Sequence, residues 1–296
     1  MKVTSFTIFN QVTRALQQRL RDMAVYSDRL TSGKRINKPS DDVSGMMKAM
    51  DYKVSINEID QYRKNIDDAD SHLGLTDTIM GSVSTSMIRA RELALQASTG
   101  TLTAEDRAAI AVEIDNLKDE VLRLSQTKFR DRYIFSGYKT DTAPFDDAFD
   151  YQGDSGEIEV LINRNSTMAV NVSGEEAFSS GGKTFFESLD DLYNALVDPD
   201  GQVAQAGAQA ALSEIDDALT QVSNVRATAG ARMNRLEDLR NSLDDRNLSL
   251  NTLLSNTQDT DIAQTISELA KIEVALQSLR ASGSKVISQS LLDFLG

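Results

Sequence analysis

The sequence predicts a mainly α fold: a long antiparallel coiled-coil helical rod with a small β-rich insertion at its distal end. Three observations predict it. First, Ile59, Tyr62, Ile66, Ala69, Leu73, Thr76, Met80, Val83, Met87, Ala90, Ala94 and Ala97 alternate in steps of three and four, an a/d seam. Second, the same alternation returns at Leu212, Ile215, Leu219, Val222, Arg226, Ala229, Met233, Leu236, Arg240, Leu243, Asn247, Leu250, Leu254 and Thr257. Third, there are only 3 prolines in 296 residues, which leaves room for long uninterrupted helices. A helix over 43–98 would run roughly 80 Å at 1.5 Å per residue.

The elements follow in order. Val12, Leu16, Leu20, Met23 and Leu30 stripe a first helix over about 10–30, which Gly33 ends in the C′ position. A turn-forming connector follows, Ser32 to Asp42, in which Pro39 keeps Lys38 out of helical geometry. Ser40 or Asp41 is expected to accept hydrogen bonds from the free amides of the long helix. That helix ends near Gly100, and Thr103 with Asp106 reads as a capping box for a third helix over about 104–127. After Lys128 the pattern changes. The run 133–138 is short, aromatic and bounded by glycine, as a strand or hairpin should be, and 157–162 and 168–172 are further strand candidates. A short helix is expected over 185–197, then the turn Asp198-Pro199-Asp200-Gly201, a second long helix over about 203–256, and a last helix from Ile262. Its stripe runs through Ile262, Ile266, Leu269, Leu276, Leu279 and Val286 and closes with Leu291, Leu292 and Leu295. The expected domains are therefore nested: 1–42 with 259–296 as a terminal helical layer, 43–140 with 185–258 as the rod, and 141–184 as the insertion.

Composition narrows the function. The net charge is −14 and there is no cysteine. Acidic balance opposes nucleic-acid binding, which draws on Lys and Arg at phosphates. Lack of cysteine excludes disulfides, thiol catalysis and Cys-based zinc sites. No run approaches membrane-spanning length, and Thr4, Ser5 and Thr7 interrupt any signal-type apolar segment, so neither membrane insertion nor a cleaved signal is expected. His72 is the single histidine, and no second His or Cys accompanies it in a metal site or triad; it reads as a surface or half-buried helix residue. In the Asp198 turn, Gly stands fourth and Gln209 twelfth, which does not fit an EF-hand. No catalytic residue, cofactor or metal is expected, and the chain does not read as an enzyme. Arg226, Arg240 and Asn247 fall on core heptad positions; a rim placement with the aliphatic stem buried is favoured over a register-setting contact with an acidic residue of the neighbouring helix.

Two stretches carry a resemblance: Leu30-Thr31-Ser32-Gly33-Lys34-Arg35-Ile36-Asn37 with Pro39, Asp41 and Asp42, and Arg91-Glu92-Leu93-Ala94-Leu95-Gln96-Ala97. With the amphipathic C-terminal helix, they resemble bacterial flagellin-like axial proteins over nearly the whole chain. The runs 133–137 with Pro144-Phe145, 151–156, 230–237 and the ending 292–295 resemble the hook–filament junction members more than filament subunits. The resemblance implies a structural role outside the cell. It implies export unfolded through the flagellar type III apparatus with a cytoplasmic chaperone. It also implies assembly as a ring between another hook-associated protein and the flagellin filament. The connector motif Gly33, Arg35, Asn37, Pro39, Asp41 and Asp42 belongs to it. The terminal stripes are the expected assembly interface, ordered only on assembly, because a single apolar stripe cannot satisfy itself in water. Competing readings are flagellin itself, a helical stalk displaying a binding module with Glu157, Glu159, Glu175 and Glu176 as available carboxylates, and a type III needle-tip protein, which the connector argues against.

Overall fold

The computed structural model describes the backbone of residues 5–295 and the side chains of residue 7 and of 9–284. Seven helices and three two-stranded antiparallel sheets are found among them. The chain divides into two compact units: unit 1 comprises 1–58 and 245–296, unit 2 comprises 59–244.

Unit 2 contains most of α2 (Val43–Ser98), α3 (Ala104–Ser125), α5 (Phe185–Val197) and most of α6 (Gly201–Gln258). Every residue of the seam from Ile59 to Ala97 is buried, as its spacing predicts. Four ion pairs join α2 to α6: Arg63–Asp244 at 3.0 Å, Asp67–Arg240 at 3.4 Å, Asp77–Arg226 at 2.8 Å and Arg91–Asp216 at 2.6 Å. Residue numbers rise on one helix as they fall on the other, so the helices are antiparallel. Arg226 and Arg240 thus sit on the exposed rim, each paired with an Asp of α2.

The α6 seam differs from the expected one. Its buried line runs through Ala204, Ala208, Ala211, Ile215, Ala218, Val222, Val225, Ala229, Leu236 and Leu243, while Leu212 and Leu219 are only half-buried at its edge. Small side chains let the helix backbone approach the core, so alanine takes the contact line and the leucines flank it.

Thr103 forms the expected capping box with Asp106. A buried Arg107 crosses from α3 to the end of α5, its Nη2 donating to the carbonyls of Asp198 and Pro199 at 3.1 and 3.3 Å. The Asp198 turn then starts α6, with the Asp200 carboxylate accepting from the Gln202 amide at 2.8 Å.

The run expected as a strand at 133–138 departs from that expectation. Only Arg132–Tyr133 (β2) pairs, with Lys128–Phe129 (β1), across a turn with positive φ at Arg130 and Asp131. Ile134, Phe135 and Ser136 are instead buried without strand partners, because Phe135 is drawn into an aromatic core. That core holds Phe135, Phe145, Phe178, Phe185 and Phe186, all fully buried, with edge-to-face contacts such as Phe135–Phe178 at 5.0 Å and Phe145–Phe186 at 4.9 Å. The insertion supplies β3 (Glu159–Asn163) and β4 (Ser166–Ala169), one hairpin where the sequence suggested strands over 157–162 and 168–172. A short helix, α4 (Gly174–Phe178), and a hairpin of β5 (Ser179–Ser180) with β6 (Lys183–Thr184) lie outside the sequence expectations.

The insertion is fastened along the helix pair. Asn65 of α2 donates to the Leu161 carbonyl at 2.7 Å, Arg232 of α6 to the Asn171 carbonyl at 3.1 Å, and Gln221 to the Glu176 carbonyl at 2.7 Å. His72 packs edge-on to Phe129 at 5.6 Å, half-buried; burial pushes its pKa below the usual value, and its Nδ1 has no partner.

Candidate assembly surface

The connector of unit 1 is built around two polar side chains and one buried apolar one. Gly33, at φ +68°, turns the chain out of α1 (Ser5–Ser32), a conformation that favours glycine. The Ser32 hydroxyl accepts from the Lys34 amide at 3.2 Å and from Asn37 Nδ2 at 2.9 Å. The Asp41 carboxylate accepts from the amides of Asn37 and Lys38 at 3.0 and 2.9 Å, and those donors hold its pKa below the usual range. Asp41 therefore closes the loop and does not cap α2. The cap is Asp42, whose Oδ1 accepts from the Gly45 amide at 2.9 Å; Asp41 is turned back by its two loop amides, and Ser40 is one step further out.

The loop is clasped to the junction of α6 with α7 (Ile262–Leu295). The amides of Arg35 and Ile36 donate to the Gln258 carbonyl at 2.7 and 3.3 Å. Gln258 Nε2 donates back to the Ile36 carbonyl at 3.0 Å. The Thr260 amide donates to the Gly33 carbonyl at 3.0 Å, and Arg35 Nη2 to the Thr257 carbonyl at 2.9 Å. Ile36 and Gln258 are both buried, so the bond from Gln258 Nε2 to the Ile36 carbonyl forms out of water, while the Arg35 side-chain bond is exposed. Gly45 makes the closure possible: a Cβ there would stand 2.5 Å from Ile36 Cδ1 and from the Asp42 carboxylate. Pro39 lies exposed on the turn.

From the clasp, α1 and α7 run antiparallel. Phe9, Val12 and Leu16 face Leu279 and Gly283 across an apolar groove of about 310 Å³. Gly283 permits the approach, since a Cβ would come within 3.2 Å of Val12 Cγ1. Of the residues expected at the interface, Leu276 is buried with Ile272 beside it, and Val12, Leu16, Met23, Leu30, Leu269 and Leu279 are half-buried. Leu20, Ile262 and Ile266 are exposed. Val286, Leu291, Leu292 and Leu295 lie outside the described side chains. Sequence reasoning missed a further exposed stripe, Val43, Met47, Met50 and Val54 at the start of α2. Its spacing was legible, but it falls before the seam that begins at Ile59, on the opposite face of the helix from Ala49.

Charge divides with the units. Unit 1 carries 14 basic and 12 acidic residues, net +2; unit 2 carries 17 and 33, net −16.

The N-terminal helical region of bacterial flagellin matches residues 3–140, and the C-terminal helical region matches 212–295. A flagellin of Bacillus subtilis is 30% identical over 267 residues, covering 86% of each chain. The chain belongs to the bacterial flagellin family. Both units take part in the match, and the connector lies inside the first flagellin region while its clasp partner Gln258 lies inside the second. Within the flagellin family the chain is also similar to flagellar hook-associated protein 3 of Escherichia coli, 29% identical over 299 residues and 94% of each chain. A solved flagellar hook-associated protein of Vibrio parahaemolyticus superposes with a TM-score of 0.70 at 26% identity, over 74% of this chain and all of that one.

Proposed function

We propose that the chain is a structural adaptor of the bacterial flagellum, a ring of copies that joins a hook-side hook-associated protein to the flagellin filament. The carrying observation is the likeness to hook-associated protein 3 across 94% of both chains, which takes in the segment between the two flagellin-type regions. In this reading, residues 1–42 with 259–296 form the layer that packs against other subunits, and 43–140 with 185–258 form the body that carries the 141–184 insertion. The half-covered stripes of α1 and α7 support it, since apolar surface of this kind gains most from further helices. So does the near-neutral charge of unit 1, which lets many copies approach. The chain works outside the cell after flagellar type III export with a cytoplasmic chaperone, and no residue acts catalytically.

The test adds purified chain and flagellin to isolated hooks. An adaptor caps the hook ends, supports filament growth there and builds no long filaments alone. Long filaments from the pure chain would instead establish the second reading, a filament subunit, which the 30% identity to a flagellin favours. Amide exchange across α1 and α7, alone and on hooks, reads their ordering: protection gained only on hooks is expected.

A further inference from the structure

His72 is the one histidine of the chain, and it stands where three elements of unit 2 meet. It lies on α2, edge-on to Phe129 of β1 at 5.6 Å, and the Val170 carbonyl just after β4 acts on its ring. Its Nδ1 is buried with no hydrogen-bond partner among the described residues. The neighbouring fastenings of the insertion come from Asn65, Gln221 and Arg232, side chains that keep one charge state between about pH 5 and 8. Among these four, only His72 can change its charge there. The surroundings offer a second proton no partner. On α2, Asp68 stands one turn before His72 and is bound to Arg130 at 2.6 Å. The β1–β2 hairpin adds Lys128, Arg130 and Arg132, with Asp131 exposed on its turn. Residues 166–172 carry no charged side chain, and α6 brings Arg232, which donates to the Asn171 carbonyl at 3.1 Å. An imidazolium donates from both ring nitrogens. Formed in place, it would leave the Nδ1–H buried without an acceptor, a state far costlier than the same charge in water.

We propose that His72 is an acid-operated latch: on gaining a proton it gives up its place against Phe129 and Val170 and frees the β3–β4 hairpin from α2. Moving the ring into water satisfies its second N–H, and the elements packed on the ring are the β1–β2 hairpin and the end of β4. Their release carries Ile162, Met168 and Val170, all buried in the latched state, into solvent. Acid therefore exposes an apolar hairpin face that neutral pH hides. Burial lowers the proton affinity of the latched ring, so the latched state binds a proton less readily than the open one. The latch is shut above pH 6.5, the ordinary histidine value, and weakens as the pH falls below it. Each pH unit below that value can favour opening by up to about tenfold. The latch operates whether or not the chain caps hooks.

The test is amide exchange of the full chain between pH 7.5 and 5.0, corrected for the intrinsic pH dependence of exchange, with His72→Gln alongside. A single histidine gives one ring signal in NMR, so its titration is followed in the same samples. Protection over 159–172 is expected to hold down to pH 6.5 and then to fall. At pH 5.0 the fall should be about fivefold or more, with a ceiling of about thirtyfold. In His72→Gln, whose amide does not titrate, the fall should stay below about twofold. Opening is also expected to be local: low denaturant should leave exchange over 159–172 unchanged while it speeds exchange in α3. If the variant fails to fold, wild type decides alone, because the loss of protection must follow the titration of the ring. Protection that stays flat to pH 5.0 while the ring gains its proton overturns the latch. So does an equal loss in His72→Gln, a ring that titrates at 6.5 in the folded chain, or hairpin exchange that tracks α3 in denaturant.

Discussion

Unit 2 and unit 1 satisfy their apolar residues in opposite ways. Unit 2 buries its main seam and core: five phenylalanines are fully buried and the seam of α2 is covered from Ile59 to Ala97, while single residues such as Ile88, Val112 and Val197 stay exposed and its net charge is strongly negative. Unit 1 is held by a hydrogen-bonded clasp around Ile36 and Gln258, with apolar stripes left facing out on α2 and α7. One chain thus contains a finished body and an unfinished one. On the proposed adaptor reading, exposure of apolar surface, taken unit by unit, separates the part that only has to fold from the part that has to associate.

The largest blow to this contrast falls on the aromatic core. Phe145→Ala or Phe178→Ala should destabilise unit 2 by about 3–5 kcal/mol, seen as an earlier unfolding midpoint in denaturant, while the clasp residues of unit 1 keep their exchange protection. A smaller and opposite lesion is Gly45→Ala. Its Cβ collides with Ile36 and Asp42, and the crowding should cost about 1–3 kcal/mol, read as faster exchange of the Arg35 and Ile36 amides with no change in unit 2. Next comes Thr103→Ala, which removes the capping box of α3 and should cost about 1 kcal/mol in the unit 2 transition alone.

A pH effect sharpens the picture further. His72 has its pKa lowered by burial, so the folded state binds a proton less readily than the unfolded chain. Stability of unit 2 should therefore hold above pH 6.5, the ordinary histidine value, and fall as the pH drops below it. Thermal melts of wild type and His72→Gln between pH 7.5 and 5.5 check this, with the variant losing less. The smallest effect belongs to Arg240→Ala: its pair with Asp67 is exposed, and the midpoint should hardly move.

Much of this was legible in the sequence. The α2 seam, the bounds of α5, the capping box at Thr103 and the break before Ile262 follow from spacing and cap chemistry, which act locally. The α6 seam was misjudged because leucine outranks alanine in hydrophobicity, while close helix packing selects the smaller side chain. Asp42 takes the cap expected of Ser40 or Asp41, because either carboxylate can reach free amides and only the fold decides which. Phe135 was read as part of a strand, for its aromatic run says that it will be buried but not by what. The clasp had no local signal at all: Ile36 and Gln258 stand 222 residues apart.

That separation orders events in time. Closing a loop of 222 residues costs about 5 kcal/mol of chain entropy beyond a constant, more than the clasp's few bonds return before their surroundings are packed. Unit 2 removes most of that span. Once α2 and α6 pair, the Arg63–Asp244 contact at 3.0 Å holds the two strands of the chain side by side. The loop still to be closed is then about forty residues, and the entropic cost falls by about 1.5 kcal/mol. The finished body is therefore expected to fold first, and its folding to make the clasp kinetically accessible. In a stopped-flow experiment, the phase reporting Gln258 should trail the phase reporting Phe178, and slowing the second should slow the first.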